Sequence, residues 1–319
     1  MTTDAIPLGT AAALPTPDRH LSAFALKREG RILLFDCGEG TQFRLLHEGL
    51  SHARIDAIFI THAHGDHWFG LPGLLSTMAL QERTAPVTLV APAGLYERVD
   101  TAADLGNLPF PVESVPLEAG VPADPVYATD AFTVRAAPLD HRAPTHGYRF
   151  QERTRRGRFH PEKARALGVT DPGDFGRLTR GEPVTTAAGR TVQPDEVLGP
   201  ERPGIGVAYV TDTQPCEGGR DLAAGADLLY HDATFANALT DRARYTKHST
   251  ARDAATVARD AGCQRLLLGH ISARYPNAEP LAHEAQAVFP NSEVAREGHC
   301  YTFDPRAKWT DEGLQHADS

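Results

Sequence analysis

The sequence predicts an α/β protein on three observations. Short runs of β-branched and other apolar residues, among them Arg31 to Phe35, Ile55 to Ile60, Gly206 to Val210 and Arg265 to Leu268, read as buried strands. Helical patterns lie between such runs, at Thr41 to Glu48 and Leu71 to Gln81, so the order strand, helix, strand recurs. Several runs end in Asp or His, and active sites of layered α/β sheets gather at the carboxyl ends of strands. With 319 residues and 41% hydrophobic content the chain can bury a sizeable core, as one large domain or two fused halves.

In chain order, Leu8-Gly9-Thr10 and Leu14-Pro15-Thr16 form a strand and a turn that lead into Leu21 to Lys27, the second strand of a hairpin. Arg31 to Phe35 ends at Asp36, which stands beside glycines and could either hydrogen-bond a metal-ligating imidazole from behind or cap a turn. Thr41 to Glu48 reads as a helix with Phe43, Leu45 and Leu46 inward, and His47 and His52 are expected on the surface. Ile55 to Ile60 then delivers Thr61-His62-Ala63-His64-Gly65-Asp66-His67, three imidazoles and a carboxylate within six residues. That density after a strand reads as a metal site. His62 and His64 alternate while Asp66 and His67 are adjacent and diverge, so two ions suit the four groups better than one. Two ions at about 3.5–4 Å can share a hydroxide nucleophile and stabilise a leaving oxygen, which is what hydrolysis of an unactivated bond needs. Gly65 is expected to let the backbone turn tightly between the two pairs.

Val87 to Val90 is a further strand, and the proline-rich stretch from Pro109 to Pro125 reads as an edge excursion of the sheet. In Ala131 to Ala137, Phe132, Val134 and Ala136 point one way, and the strand leads to His141, a candidate ligand; His146 is taken as structural. Residues 151 to about 200 carry Arg, Gly, Pro and Thr with few apolar anchors and read as an insertion within a single domain spanning 1–319. Gly206 to Val210 delivers Asp212, whose carboxylate can use both lone-pair faces to bridge two cations. Leu228 to Tyr230 ends at His231-Asp232-Ala233-Thr234. His248 precedes a helix of Ala and Arg that Ser249 or Thr250 can cap. Arg265 to Leu268 ends in Gly269-His270, and Arg274 follows as a charge that could meet a phosphate. The tail after about 305 is polar and expected to fray.

Composition excludes several function classes. There is no run of 18 apolar residues and no basic-then-apolar leader, so neither a membrane span nor a signal peptide is expected and a cytoplasmic address follows. The four cysteines, Cys37, Cys216, Cys263 and Cys300, form no CxxC pair and read as reduced thiols. A formal net charge of -9 argues against a whole-surface nucleic-acid binder and against DNA as a partner, leaving a local patch. The densest is Arg153-Thr154-Arg155-Arg156-Gly157-Arg158, in a stretch, 151 to 183, that holds eight Arg and Lys against five acids. A basic segment within an acidic protein favours RNA contact.

His62-Ala63-His64-Gly65-Asp66-His67 resembles the HxHxDH signature of the metallo-β-lactamase fold, and its continuation Trp68-Phe69-Gly70-Leu71-Pro72-Gly73-Leu74-Leu75 resembles ribonuclease Z, the tRNA 3′-processing endonuclease branch. Phe35-Asp36-Cys37-Gly38-Glu39-Gly40-Thr41-Gln42, Tyr209-Val210-Thr211-Asp212-Thr213, His231-Asp232-Ala233-Thr234-Phe235, His248-Ser249-Thr250 and Gly269-His270-Ile271-Ser272-Ala273-Arg274-Tyr275 continue the likeness. It implies an αββα sandwich, two mixed sheets face to face with helices outside. It also implies one metal on His62, His64 and His141, a second on Asp66, His67 and His270, and Asp212 between them. Nitrogen and oxygen ligands without thiolate suit zinc, with manganese allowed. Asp66 would orient or deprotonate the attacking water, His248, oriented by Asp232, would protonate the leaving oxygen, and Arg274 would meet substrate phosphate. The expected substrate is precursor tRNA, gripped by an arm at 151–200, and the expected assembly is a homodimer. The departures are Ala11-Ala12-Ala13 at a turn that is glycine-rich in the family, Thr211 for a glycine, Asp232 for a glutamate, and the acids of Asp171-Pro172-Gly173-Asp174 in the arm. The alternatives are a small-substrate phosphodiesterase of the same fold, which needs no arm, and a non-catalytic RNA-binding relative, which the seven filled ligand positions disfavour.

Overall fold

The computed structural model describes residues 2–303, so the polar tail expected to fray lies outside the described residues. Among the described residues, 2–151 and 205–303 form one compact unit, and Glu152–Gly204 form a second.

The larger unit holds two seven-stranded sheets. In the first the order is Tyr301–Phe303, Thr3–Gly9, Ala23–Arg28, Arg31–Phe35, Ile55–Phe59, Val87–Pro92, Val112–Leu117; in the second it is Ser292–Val294, Leu266–Gly269, Leu228–Asp232, Gly206–Val210, Thr145–Glu152, Phe132–Leu139, Ala123–Ala128. The central strands are apolar throughout because both faces are buried. Ile32 and Leu34 pack outward under helices while Leu33 and Phe35 pack inward, and Ile58 and Phe59 divide the same way. Leu267 likewise faces inward, with Leu266 and Leu268 outward. The inner layer is aromatic: Phe59 lies 4.8 Å from Phe35 and 5.4 Å from Tyr148 of the opposite sheet. Outside, Leu45, Leu74 and Val99 of helices Thr41–His47, Leu71–Leu80 and Tyr96–Ala103 cover the first sheet. Leu222, Ala254 and Leu281 of helices Glu217–Ala223, Ala251–Asp260 and Glu279–Gln286 cover the second. This is the αββα sandwich that the sequence resemblance implies. Phe59→Ala is expected to cost about 3–5 kcal/mol, as large-to-small changes of a buried aromatic do, and urea unfolding measures it.

Three expectations need correction. In the helix Thr41–His47 only Leu45 of the three apolar residues faces inward; Phe43 is 67% and Leu46 57% exposed. His52 is buried, with Nε2 3.1 Å from the Gln42 carbonyl, rather than on the surface. The proline-rich stretch is not one excursion, since Val112–Leu117 and Ala123–Ala128 supply the edge strand of each sheet. The tight turn expected at Gly65 is present: Gly65 opens the helix Gly65–Trp68, the His67 N–H donates to the His64 carbonyl at 3.1 Å across it, and a Cβ on Gly65 would meet the Phe69 ring at 2.3 Å.

The smaller unit has more apolar anchoring than its composition indicates. Ala164, Val169, Leu178, Val184, Val192 and Val197 bury together, with Phe159, Leu167 and Phe175 against them. They tie helices Pro161–Ala166, Pro172–Arg180 and Pro194–Val197 to the hairpin of Val184–Thr185 and Thr191–Val192. The unit extends to Gly204 because the returning chain pairs with its start: Arg155 and Arg202 exchange backbone hydrogen bonds of 2.8 Å. The two added acids hold the local structure. Asp171 caps a helix by accepting from the Gly173 N–H at 2.9 Å, and Asp174 pairs with Arg177 at 3.4 Å.

Candidate metal centre

Every residue singled out as a ligand follows the carboxyl end of a strand. Ile55–Phe59 delivers His62 and His64, and the helix Gly65–Trp68 then turns Asp66 and His67 back over the same strand end. Phe132–Leu139, Gly206–Val210 and Leu266–Gly269 deliver His141, Asp212 and His270. Asp36, Asp212 and His270 sit at φ of 56°, 49° and 53°. Non-glycine residues reach this left-handed region seldom, at a cost of about 1–3 kcal/mol, and Asp and His are enriched among them.

The ligating atoms of His62, His64, His141 and Asp212 lie within 4.8 Å of one another, and those of Asp66, His67 and His270 form a second such group. His62 Nε2 is 2.8 Å from His64 Nδ1, which is 3.4 Å from His141 Nε2. Asp212 faces both groups. Its Oδ2 lies 3.6 Å from His62 Nε2 and 3.8 Å from His141 Nε2, and its Oδ1 lies 3.2 Å from His67 Nε2 and 3.1 Å from His270 Nε2. Asp66 Oδ2 closes the second group at 3.5 Å from His67 and 3.6 Å from His270.

The groups behind these residues decide which imidazole nitrogen is presented. His67 Nδ1 donates to the fully buried Asp36 at 2.7 Å, and His141 Nδ1 donates to the Lys247 carbonyl at 3.1 Å. His62 Nδ1 meets Thr61 Oγ1, and His270 Nδ1 meets Thr234 Oγ1, each at 3.0 Å. Both hydroxyls spend their protons on carboxylates, Thr61 on Asp36 at 3.0 Å and Thr234 on Asp232 at 2.7 Å, so each accepts from the imidazole. The proton of four histidines is thereby fixed on Nδ1 and a lone pair on Nε2 is turned to the centre. The buried His270 Nε2 has no hydrogen-bond partner even though Asp212 is near, as expected of a nitrogen whose partner is a cation. These residues therefore fit a divalent cation.

Charge agrees with that fit in that the carboxylates that would draw a proton onto His67 Nε2 would equally draw a cation to it. Burial alone would lower the His67 imidazole, but Asp212, Asp36 and Asp66 around it hold it well above its ordinary value. Burial would raise Asp212, yet His270, His67 and His62 keep it well below the usual carboxylate range. His62 is held well below by burial and by His67, so it is neutral.

His248 lies at the edge of the centre, its ring 5.2 Å from that of His270 and 4.9 Å from that of His141. Its Nδ1 is 2.7 Å from Asp232 Oδ2, and the Thr213 N–H holds that same oxygen at 3.1 Å. Burial disfavours the imidazolium, but Asp232 outweighs it and raises His248 to about 9. Arg274 is exposed; its Nε donates to Ser272 Oγ at 2.9 Å and its guanidinium lies 5.0 Å from the centre of the Phe235 ring. His146 stays out of the centre, with Nε2 3.2 Å from the Val121 carbonyl.

Sequence reasoning gave no role to Thr61, Thr234 and Tyr209, and it saw in the Ala11-Ala12-Ala13 turn only a departure from the family. Tyr209 donates to Asp36 at 3.0 Å, and the Ala13 N–H donates to Asp66 Oδ2 at 3.0 Å from a left-handed turn, φ 59°. The alanine turn thus still brings backbone to the site, through a carboxylate. Thr61 adjoins the ligand His62 and Thr234 lies two residues after Asp232, a signal that was available; the other two contacts are made between distant segments.

Residues 3–103 match the family model described as Anti-Pycsar protein Apyc1. Over 314 residues, 98% of either chain, the protein is 60% identical to ribonuclease Z of Salinibacter ruber. It is 46% identical to ribonuclease Z of Gemmatimonas aurantiaca over 297 residues, 91% of this chain and 93% of that one. The crystal structure of human tRNase Z, short form, matches with a TM-score of 0.66 at 29% identity, covering 93% of this chain and 98% of that chain. With 60% and 46% identity to ribonuclease Z proteins over nearly the whole length of each, the chain belongs to the ribonuclease Z family.

Proposed function

We propose that this protein is a metal-dependent endoribonuclease that removes 3′ trailers from precursor tRNA, leaving a 3′-hydroxyl on the tRNA and a 5′-phosphate on the trailer. The observation that carries the reading is the convergence of two ligand groups on the two oxygens of Asp212, in a chain with full-length ribonuclease Z relatives. His62, His64 and His141 would hold one ion, Asp66, His67 and His270 a second, and Asp212 would be shared. Bound divalent ions would supply Lewis-acid charge and make water a nucleophile at neutral pH. Asp66 orients the attacking water and takes its proton. His248, aligned by Asp232, gives a proton to the 3′-oxygen as its bond to phosphorus breaks. Arg274, at the rim, is placed for a phosphate oxygen. The donor set favours zinc, with manganese allowed. Four unpaired cysteines fit a reducing compartment, so the cytoplasm is the proposed location. Among the described residues no helix is long and apolar enough to cross a membrane. A homodimer is supported by the exposed Phe43, Leu46 and Leu80 on helices Thr41–His47 and Leu71–Leu80. The decisive experiment is incubation of the purified protein with a 3′-extended tRNA precursor and mapping of the cut. Cleavage immediately after the tRNA body supports the reading; no cleavage, or scattered cuts, overturns it.

The unit Glu152–Gly204 is proposed as the arm that grips tRNA. Glu152 and Gly204 adjoin, since a Cβ on Gly204 would lie 2.3 Å from the Glu152 carbonyl oxygen, so a short Gly-Ser linker can replace residues 153–203. All seven proposed ligands remain. Hydrolysis of bis(p-nitrophenyl) phosphate is expected to persist while KM for precursor tRNA rises, because only the large substrate needs remote binding energy. Arg153, Arg156 and Arg158 are exposed, and loss of three phosphate contacts is expected to flatten the salt dependence of log K by about two to three units. Unchanged tRNA processing by the deletion would instead favour the small-substrate phosphodiesterase.

A further inference from the structure

Two loops that adjoin the centre are laced together by a stacked pair of side chains that the chemistry above does not use. Arg142 follows His141, and Tyr245 lies in the last turn of the helix Thr240–Thr246, two residues before Lys247 and three before His248. The Arg142 guanidinium lies 4.7 Å from the centre of the Tyr245 ring, and its Nη2 donates to the Tyr245 carbonyl at 2.6 Å. The same two segments are joined by Lys247 Nζ to Asp140 at 2.7 Å and by His141 Nδ1 to the Lys247 carbonyl at 3.1 Å. Asp140 is held in turn by Gln214 at 2.5 Å. The scaffold beneath the pair is therefore fixed on both sides, yet Tyr245 is 76% exposed.

A large aromatic ring kept in solvent, backed by a cation and braced next to a reaction centre, has the form of a stacking platform. An unpaired nucleobase offers a π-face of matching size, whereas a base inside a duplex has both faces covered. Arg142 would contribute twice, through its charge toward the backbone and by polarising the ring it covers. Because Arg142 directly follows His141 and Tyr245 lies three residues before His248, a base seated here belongs to a nucleotide flanking the cut.

We propose that Tyr245, backed by Arg142, stacks an unpaired base of the RNA next to the scissile phosphodiester and so positions that bond. The proposal rests on the endoribonuclease reading and adds to it a subsite on this chain.

The test is kcat/KM on a 3′-extended tRNA precursor for the intact protein, Tyr245→Ala and Tyr245→Phe. The same precursor is also made with an abasic nucleotide immediately before or immediately after the cut. Tyr245→Ala is expected to lower kcat/KM about 5- to 150-fold, the range that one base–aromatic stack supplies, and Tyr245→Phe to retain most of it. One of the two abasic substrates should impose a comparable loss on the intact protein and little further loss on Tyr245→Ala. The abasic comparison on the intact protein needs no variant, so a misfolded Tyr245→Ala does not decide the matter. Full activity in Tyr245→Ala, a loss in Tyr245→Phe as large as in Tyr245→Ala, or equal abasic penalties in intact protein and variant would each overturn the proposal. If the intact protein does not cut the unmodified precursor, the endoribonuclease reading itself fails, and that result is distinct from all of these.

Discussion

Asp212→Ala is expected to remove most activity and at least one of two bound ions. Its two oxygens lie 3.1–3.8 Å from four imidazole nitrogens, two in each proposed ligand group. Loss of a partner that only orients a ligand costs about 10- to 100-fold in affinity or activity, so loss of a shared ligand should exceed about 100-fold. Asp212→Asn separates charge from shape. It keeps the volume and one oxygen, but it leaves the amide facing either the His62 side or the His270 side, where it cannot act as a carboxylate. Metal analysis after gel filtration, with circular dichroism to establish folding, is the measurement. A folded Asp212→Ala protein with two ions per chain and near-normal turnover would show that the centre is not built around a shared carboxylate.

Much of this centre was legible because its densest part is local. His62, His64, Asp66 and His67 fall in one loop, and the strands on either side of it are apolar on both faces, which makes runs such as Ile55 to Ile60 stand out. His141, Asp212 and His270 needed the resemblance, since a lone His or Asp at a strand end is common; the fold brings them within 4.8 Å of their groups. What could not be read depends on tertiary partners. That the Tyr209 hydroxyl reaches Asp36 follows only from packing one sheet on the other. Phe43 and Leu46 fit a helical pattern but face solvent, and periodicity cannot tell an apolar residue that meets the core from one that does not. In the insertion the reverse holds: anchors such as Ala164, Leu178 and Val197 are too far apart in sequence to look like a core until the helices and the hairpin assemble.

His248→Ala is expected to slow cleavage of precursor tRNA by roughly 10²- to 10⁴-fold with metal content unchanged, as loss of a general acid does. The geometry admits a rival role, because a His248 ring nitrogen also falls within 4.8 Å of the ligand atoms of Asp212 and His270. Two readouts separate acid from ligand. A ligand's loss lowers bound metal, whereas an acid's loss does not. A substrate whose leaving group needs no proton should also be spared by loss of the acid. Bis(p-nitrophenyl) phosphate expels a stabilised phenolate, so its hydrolysis by His248→Ala should fall far less than tRNA cleavage does. Asp232→Asn should move the enzyme the same way by a smaller factor, since it weakens the 2.7 Å hydrogen bond that aligns the imidazole without removing the ring. Equal losses on both substrates together with depleted metal would make His248 a ligand. The proton for the leaving oxygen would then have to come from solvent or from a group other than His248.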